Sequence, residues 1–189
     1  YGQTELFVEI ILKDYTRAYG LEFISLRYFN AAGADPEGEL GEMHEPETHL
    51  IPNILLTLLG RKEEFHLYGT DFPTPDGTAI RDYIHVTDLA TAHVLALKKL
   101  LSREIQADFI NLGTNKGYSV LEVIRQAEEI TGLKLNYAPQ PRRKGDVPIL
   151  LASRERAIKR LGWQLHYSDL ATIIQTAWAW HQKVNSGRS

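Results

Sequence analysis

The 189-residue chain is 43% hydrophobic and 24% charged, the balance of a globular protein with room for one domain, or for one domain and part of another. A net charge of −3 with the signs interspersed argues against a nucleic-acid or membrane-surface partner. The absence of cysteine excludes disulfides, thiol catalysis and thiolate metal sites and favours a cytoplasmic setting, and no apolar run approaches the ~20 residues that span a bilayer, with no signal peptide expected ahead of Tyr1.

Apolar residues at Leu6, Phe7, Ile10, Ile11, Leu12 and Tyr15 recur with helical spacing, and Gly20 predicts the stop. Leu21 to Tyr28 reads as a buried strand. Residues 29–46 are rich in Gly, Pro, Asp and Glu, and a loop of that length in a compact domain is functional or mobile. A short helix over Leu50 to Leu59 tolerates Pro52 in its first turn. Phe65 to Tyr68 is a short strand ahead of a turn-rich stretch. R-D-Y-I-H-V, from Arg81, is a further extended segment leading to Thr87 as the N-cap of a helix that ends near Leu101.

D-F-I-N-L-G, from Asp108, is another strand, and Ser119 with Glu122 makes a capping box for a helix that stops at Gly132. Lys134 to Ala138 reads as extended, P-Q-P-R-R-K-G-D-V-P as a loop and Ser153 to Leu161 as a short helix. A final amphipathic helix carries Leu170, Ile173, Ile174, Ala177, Trp178 and His181, with a frayed tail from Asn185.

Strands alternating with helices predict an α/β chain. No G-x-G-x-x-G or G-x-x-G-x-x-G follows any of the strands, so these residues carry no pyrophosphate cradle for a dinucleotide, and Gly33 in N-A-A-G-A-D stands alone. The seven histidines lack spacings such as H-x-x-x-H; they read as surface or hydrogen-bonded residues, with no metal site expected.

Three stretches carry a more specific signal: R-Y-F-N-A-A-G-A-D-P from Arg27, Y-G-T-D-F-P-T-P-D-G-T-A-I-R-D-Y-I-H-V-T-D-L-A from Tyr68, and R-R-K-G-D from Arg142. With E-T-H-L-I-P between the first two, they resemble, in order, the carboxy-terminal half of the UDP-glucose 4-epimerases, a branch of the extended short-chain dehydrogenase/reductases. Phe29 and Tyr83 favour this branch over the nucleotide-sugar dehydratases, where serine usually follows R-Y and tryptophan follows R-D.

The resemblance implies the last elements of a Rossmann-type NAD-binding domain in residues 1–30. It implies the smaller mixed α/β nucleotide-sugar domain in residues 31–189, with 81–112 as a segment that can return to the Rossmann sheet. The glycine-rich loop of the family would fall outside these residues. The implied activity is the interconversion of UDP-glucose and UDP-galactose through a transient 4-keto sugar and NAD in the complete enzyme, an isomerase of galactose metabolism, with these residues alone inactive. Two alternatives stand beside it: a non-catalytic fragment that holds UDP-sugars, and a related nucleotide-sugar dehydratase or decarboxylase. A homodimer or other self-association is implied as well; Leu6, Phe7, Ile10 and Ile11 suit such an interface, or packing on a Rossmann sheet outside these residues.

Tyr1 falls at the family's catalytic tyrosine and Glu5 at the place of its lysine. A phenol near pKa 10 needs a neighbouring cation to serve as a base near neutral pH, and a carboxylate acts in the opposite sense. By the same resemblance Tyr28 and Phe29 lie by the nicotinamide, and Asn30 reaches the substrate's phosphate or sugar. His49 and Leu50 meet the diphosphate and uridine, and Tyr68 walls the uracil. Arg81 and Arg143 clamp the diphosphate, whose paired oxygens suit guanidinium forks, and Asp146 accepts from the ribose hydroxyls. Leu150 occupies a position whose size bears on N-acetylated sugars, where leucine is intermediate. Asp82, Tyr83 and Asp88 are expected to brace the Arg81 segment and cap the next helix.

Overall fold

The computed structural model describes residues 2–186. The first half of the chain runs α1 (Gly2–Tyr19), β1 (Phe23–Tyr28), β2 (Asn30–Ala32), α2 (Leu50–Leu58), β3 (Phe65–Tyr68), β4 (Ile80–Arg81), β5 (Tyr83–His85) and α3 (Val86–Leu101). There follow β6 (Ala107–Leu112), β7 (Tyr118–Ser119), α4 (Val120–Thr131), β8 (Tyr137–Gln140), β9 (Ile149–Leu150), α5 (Glu155–Leu161) and α6 (Leu170–Ser186). The strands pair in parallel as β1–β6, β2–β5 and β3–β8; β4 lies between β9, parallel, and β7, antiparallel. This is the mixed α/β class that the alternation of elements predicts.

Two hydrophobic cores organise the chain. In one, α2, α4 and α6 close over β3 through Ile51, Ile54, Leu55, Leu67, Val123, Ile124, Ile173 and Ile174. In the other, α3 and α5 pack on β6 through Leu89, Ala92, Ile110, Leu112, Ala157 and Trp163, whose indole N–H donates to the Asp88 carbonyl at 2.9 Å. Strand β5 is the shared wall. Successive strand side chains point to opposite faces, so Tyr83 enters the first core and Ile84 the second. Both side chains are buried, although Asp82 and His85 on either side of them carry polar groups.

Boundaries follow local chemistry. Ser119 and Glu122 form the expected capping box on α4, and Gly132 ends that helix at φ 69°. The cap of α3 is His85, not Thr87: the His85 Nδ1 accepts from the Thr87 N–H, so the helix starts one residue before the threonine. Asp88 does not cap α3; its carboxylate accepts from the His166 and Tyr167 amides and the Ser168 hydroxyl. Strand β1 begins at Phe23 instead of Leu21, and β8 at Tyr137 instead of Lys134. Asn185 and Ser186, expected in a frayed tail, continue α6, their side chains bonding back to the His181 and Lys183 carbonyls. Gly33 takes φ 83° beneath His85, and a Cβ there would lie 2.5 Å from the imidazole. Its glycine serves that close approach.

Helix α1 is attached differently from the rest. Among its described residues only Glu9 is buried, gripped by both ends of the Arg27 guanidinium, which holds the Glu9 carboxyl below its usual range. Leu6, Phe7, Ile10 and Ile11 are exposed.

His85 and His181 are both buried, and burial lowers both imidazole pKa values from the usual 6.5. The unfolded chain therefore takes up these protons first as pH falls. Stability is full above about pH 6.5 and declines below it, toward the lowered native values. Thermal melts followed by circular dichroism are expected to show the midpoint dropping as pH falls below about 6.5, with a shallower slope in His181→Gln. An unchanged slope in that variant contradicts the assignment.

Candidate functional site

A cavity of about 950 Å³ opens between β2, the loop into α2, β3, β4 and the loop that follows β8. Arg81 reaches it from β4. Its Nη1 donates to the Ile80 carbonyl at 2.9 Å, and its Nη2 stands 3.9 Å from the Asp146 carboxylate. Arg143 enters from the opposite loop with its guanidinium over the Tyr68 ring, 4.1 Å from the centroid. The Asp146 amide donates to the Arg143 carbonyl at 3.2 Å, closing a turn through Gly145 at φ 90°. Two guanidinium groups 62 residues apart in sequence thus share one cavity with an aromatic face and the loosely engaged Asp146 carboxylate.

The scaffold behind them is polar and fully buried. Asp82 is wholly inaccessible and accepts from the Thr114 amide at 3.0 Å, the Thr114 hydroxyl at 2.7 Å and the Ala152 amide at 3.2 Å. Its own carbonyl accepts from the Asn30 amide N–H and, at 2.6 Å, from the Asn30 side chain. Asp82 therefore fixes both neighbours that the cavity uses, Arg81 along the chain and Asn30 across the β2–β5 pairing. Beside it, burial pushes the Tyr83 phenol far above the ordinary tyrosine range, with the Arg81 charge opposing. Arg142 is turned away from the cavity to Asp71 and lies over the Phe72 ring at 4.4 Å, which pins the loop that carries Arg143.

Tyr28, Phe29, Asn30, His49, Leu50, Tyr68, Arg81, Arg143 and Asp146 all line this cavity. Leu150 does not; it lies beside Arg81 in the β4–β9 pairing. Glu5 is exposed on α1, away from the cavity lining, and Tyr1 lies outside the described residues. His49 is engaged by its own loop: its Nδ1 contacts the Glu42 carboxylate and lies 3.4 Å from that of Glu47, and its ring stacks on His44. Glu42, Asn53, His66 and Thr87 also line the cavity. Reading the sequence missed them; the only signal for Glu42 was its place in E-x-H-x-x-E-x-H.

Residues 1–113 match the model of the NAD dependent epimerase/dehydratase family. The chain is 47% identical over 189 residues to a UDP-glucose 4-epimerase of Halalkalibacterium halodurans, covering 100% of this chain and 56% of that protein. A solved UDP-glucose 4-epimerase of Brucella ovis, in complex with NAD, is 50% identical, with TM-score 0.90 over 94% of this chain and 55% of its own. One from Stenotrophomonas maltophila, with bound NAD and formylated UDP-arabinopyranose, is 39% identical, with TM-score 0.93 over 99% and 56%. The chain spans about half the length of the curated relatives it matches.

Asp82→Ala strands the Thr114 and Ala152 amides in a fully buried site. At ~1–3 kcal/mol for each buried donor left unpaired, a loss of about 3 kcal/mol is expected in urea unfolding. A loss under about 1 kcal/mol means that water or another acceptor replaces the carboxylate.

Proposed function

The chain belongs to the NAD dependent epimerase/dehydratase family, and on that premise we propose that the cavity is the nucleotide-sugar site of a UDP-glucose 4-epimerase. The observation that carries this reading is the meeting of Arg81 and Arg143 beside Tyr68. A nucleoside diphosphate brings about two negative charges with oxygens paired at guanidinium spacing. The Arg143 stack on Tyr68 restricts the arginine before any ligand arrives, which lowers the entropy lost on binding. The 3.9 Å separation of Arg81 from Asp146 is too long for a strong hydrogen bond, so phosphate oxygens can take the fork.

Each further residue has chemistry that suits such a ligand. Tyr68 offers a flat wall for the uracil, and Asp146 accepts from ribose hydroxyls. The Asn30 amide, oriented by the Asp82 carbonyl, faces the phosphate or sugar, with His49 and Leu50 bordering the diphosphate. The uridine-linked sugar in the Stenotrophomonas relative supports this assignment.

NAD would accept and return the hydride in the complete protein, through a transient 4-keto sugar. Among the described residues Tyr28 and Phe29 fit a nicotinamide face. Two strand-to-helix turns among the described residues are closed to its pyrophosphate: His85 fills the turn before α3, and the Ser119–Glu122 box, with its carboxylate, fills the turn before α4. Tyr1 would take the proton of the sugar 4-hydroxyl. A carboxylate at Glu5 in place of the family's cation would disfavour a phenolate beside it, which supports a second reading, in which the protein holds a UDP-sugar without converting it. The exposed apolar residues of α1 support self-association, expected by light scattering as a species heavier than a monomer.

Calorimetry with UDP is expected to show saturable binding to the 189 residues, and Arg81→Ala and Arg143→Ala are each expected to weaken it about 10- to 100-fold, at ~1.5–3 kcal/mol for a charge-assisted hydrogen bond. UDP that fails to bind, or binds both variants equally well, removes the assignment. UDP-galactose turnover is expected only when an NAD-binding half is supplied alongside, and a gain with Glu5→Lys in that mixture would identify Glu5 as the reason for low activity.

A further inference from the structure

The loop between β2 and α2 gathers Glu42, His44, Glu47 and His49, whose potential ligand atoms all lie within 4.8 Å of one another. We propose that these four side chains form a site for a borderline divalent cation, Zn²⁺ foremost, at the rim of the cavity. The proposal does not depend on what the cavity binds.

The donor set favours such a cation. Two imidazole nitrogens and two carboxylates suit zinc, whereas magnesium and calcium prefer oxygen alone. Two carboxylates also neutralise the +2 charge. Ligand atoms ~2.0–2.2 Å from a tetrahedral zinc stand roughly 3.4 Å apart, the separation His49 already has from Glu47, so the most distant donors close in by little more than 1 Å while Glu42 and His49 part to admit the ion. His44 and His49 are exposed, with rings stacked 11° from parallel and centroids 5.3 Å apart, so the His44 ring has room to turn its nitrogen toward the ion that His49 and the two carboxylates face.

The local hydrogen bonding points the same way. Both Glu42 and Glu47 present a carboxylate oxygen to the one Nδ1 of His49. A single proton on that nitrogen serves one of them well; a cation in its place serves both. Glu47, with a side chain only 4% exposed, is oriented by the Thr48 and His49 amides, each 2.7 Å from its Oε1. The loop is held from behind, where the Trp180 indole donates to the Glu42 carbonyl at 2.9 Å and the Trp180 ring packs where a Cβ on Gly41 would fall. Lys62 and Asn53 both reach the Glu47 carbonyl. The donors are thus presented by a supported backbone, as a metal site requires.

The test is calorimetric titration of the tag-free, chelator-treated chain with ZnCl₂. One ion per chain is expected, with affinity reduced at least tenfold in His44→Ala and in Glu47→Gln, and with no competition from excess Mg²⁺. Co²⁺ added to the unaltered protein is expected to give the visible absorption of a four-coordinate site, a readout that does not depend on how either variant folds. Absence of saturable 1:1 binding overturns the proposal. So does zinc binding that both variants retain in full, which would assign the ion to histidines elsewhere, or a six-coordinate cobalt spectrum.

Discussion

The carboxylate of Asp82 has no access to solvent and, among the described residues, no cationic partner, yet three donors from two distant segments converge on it. A buried carboxyl group held by neutral donors is costly unless each bond is well made, so the backbones of Thr114 and Ala152 have little freedom to shift. The consequences run outward along one short stretch. Arg81 faces the cavity, Asp82 the polar hub, Tyr83 the first core, Ile84 the second, and His85 begins α3. Five consecutive residues have five different surroundings, because the chain here passes between two cores and along the edge of a cavity.

The two arginines that meet in the cavity are held in unlike ways. Arg81 is mostly enclosed and bonded to its own strand. Arg143 sits on a loop and depends on a neighbour: Arg142 ties that loop to Asp71 and Phe72, leaving Arg143 to lie over Tyr68. Adjacent arginines therefore face different ways: Arg142 holds the loop, and Arg143 is left facing the cavity. One is placed by the sheet, the other by a clasp that strong competing ions could loosen, since the Asp71–Arg142 pair is exposed.

Rules that act within a few residues were readable in advance. The Ser119–Glu122 box and Gly132 needed only their own turn, and both stand where the sequence put them. Thr87 is a favoured capping residue, but a neutral imidazole held by burial offers an acceptor two residues earlier and won the position. At the carboxyl end, polar small residues suggested fraying; the Arg61 side chain reaching the Asn185 carbonyl, from a turn 124 residues away, could not be foreseen from local composition. The same limit applied to the cavity. Arg81, Arg143 and Asn30 came from resemblance, whereas no pattern separated Arg142 from Arg143, because its partner lies 71 residues back. The Glu42–His49 cluster escaped because its donors converge through an irregular loop and not at helical spacing.

The wall opposite the arginines owes its shape to a helix that never touches the cavity. Residues 33–42 are hooked onto α6 along its length: the Ala34 amide donates to the Thr176 hydroxyl at 3.2 Å, Trp180 donates to the Glu42 carbonyl, and Lys183 donates to the Gly38 carbonyl at 2.6 Å. Those partners recur at three- and four-residue spacing, so they lie on one face of the helix. Ile173, Ile174 and Ala177 of the same helix are buried in the first core. Packing of that core therefore sets where the loop, with its glutamates and histidines, stands against Arg81 and Tyr68. The cavity has one side wired to a buried carboxylate and the other suspended from a packed helix. A ligand spanning both would couple them.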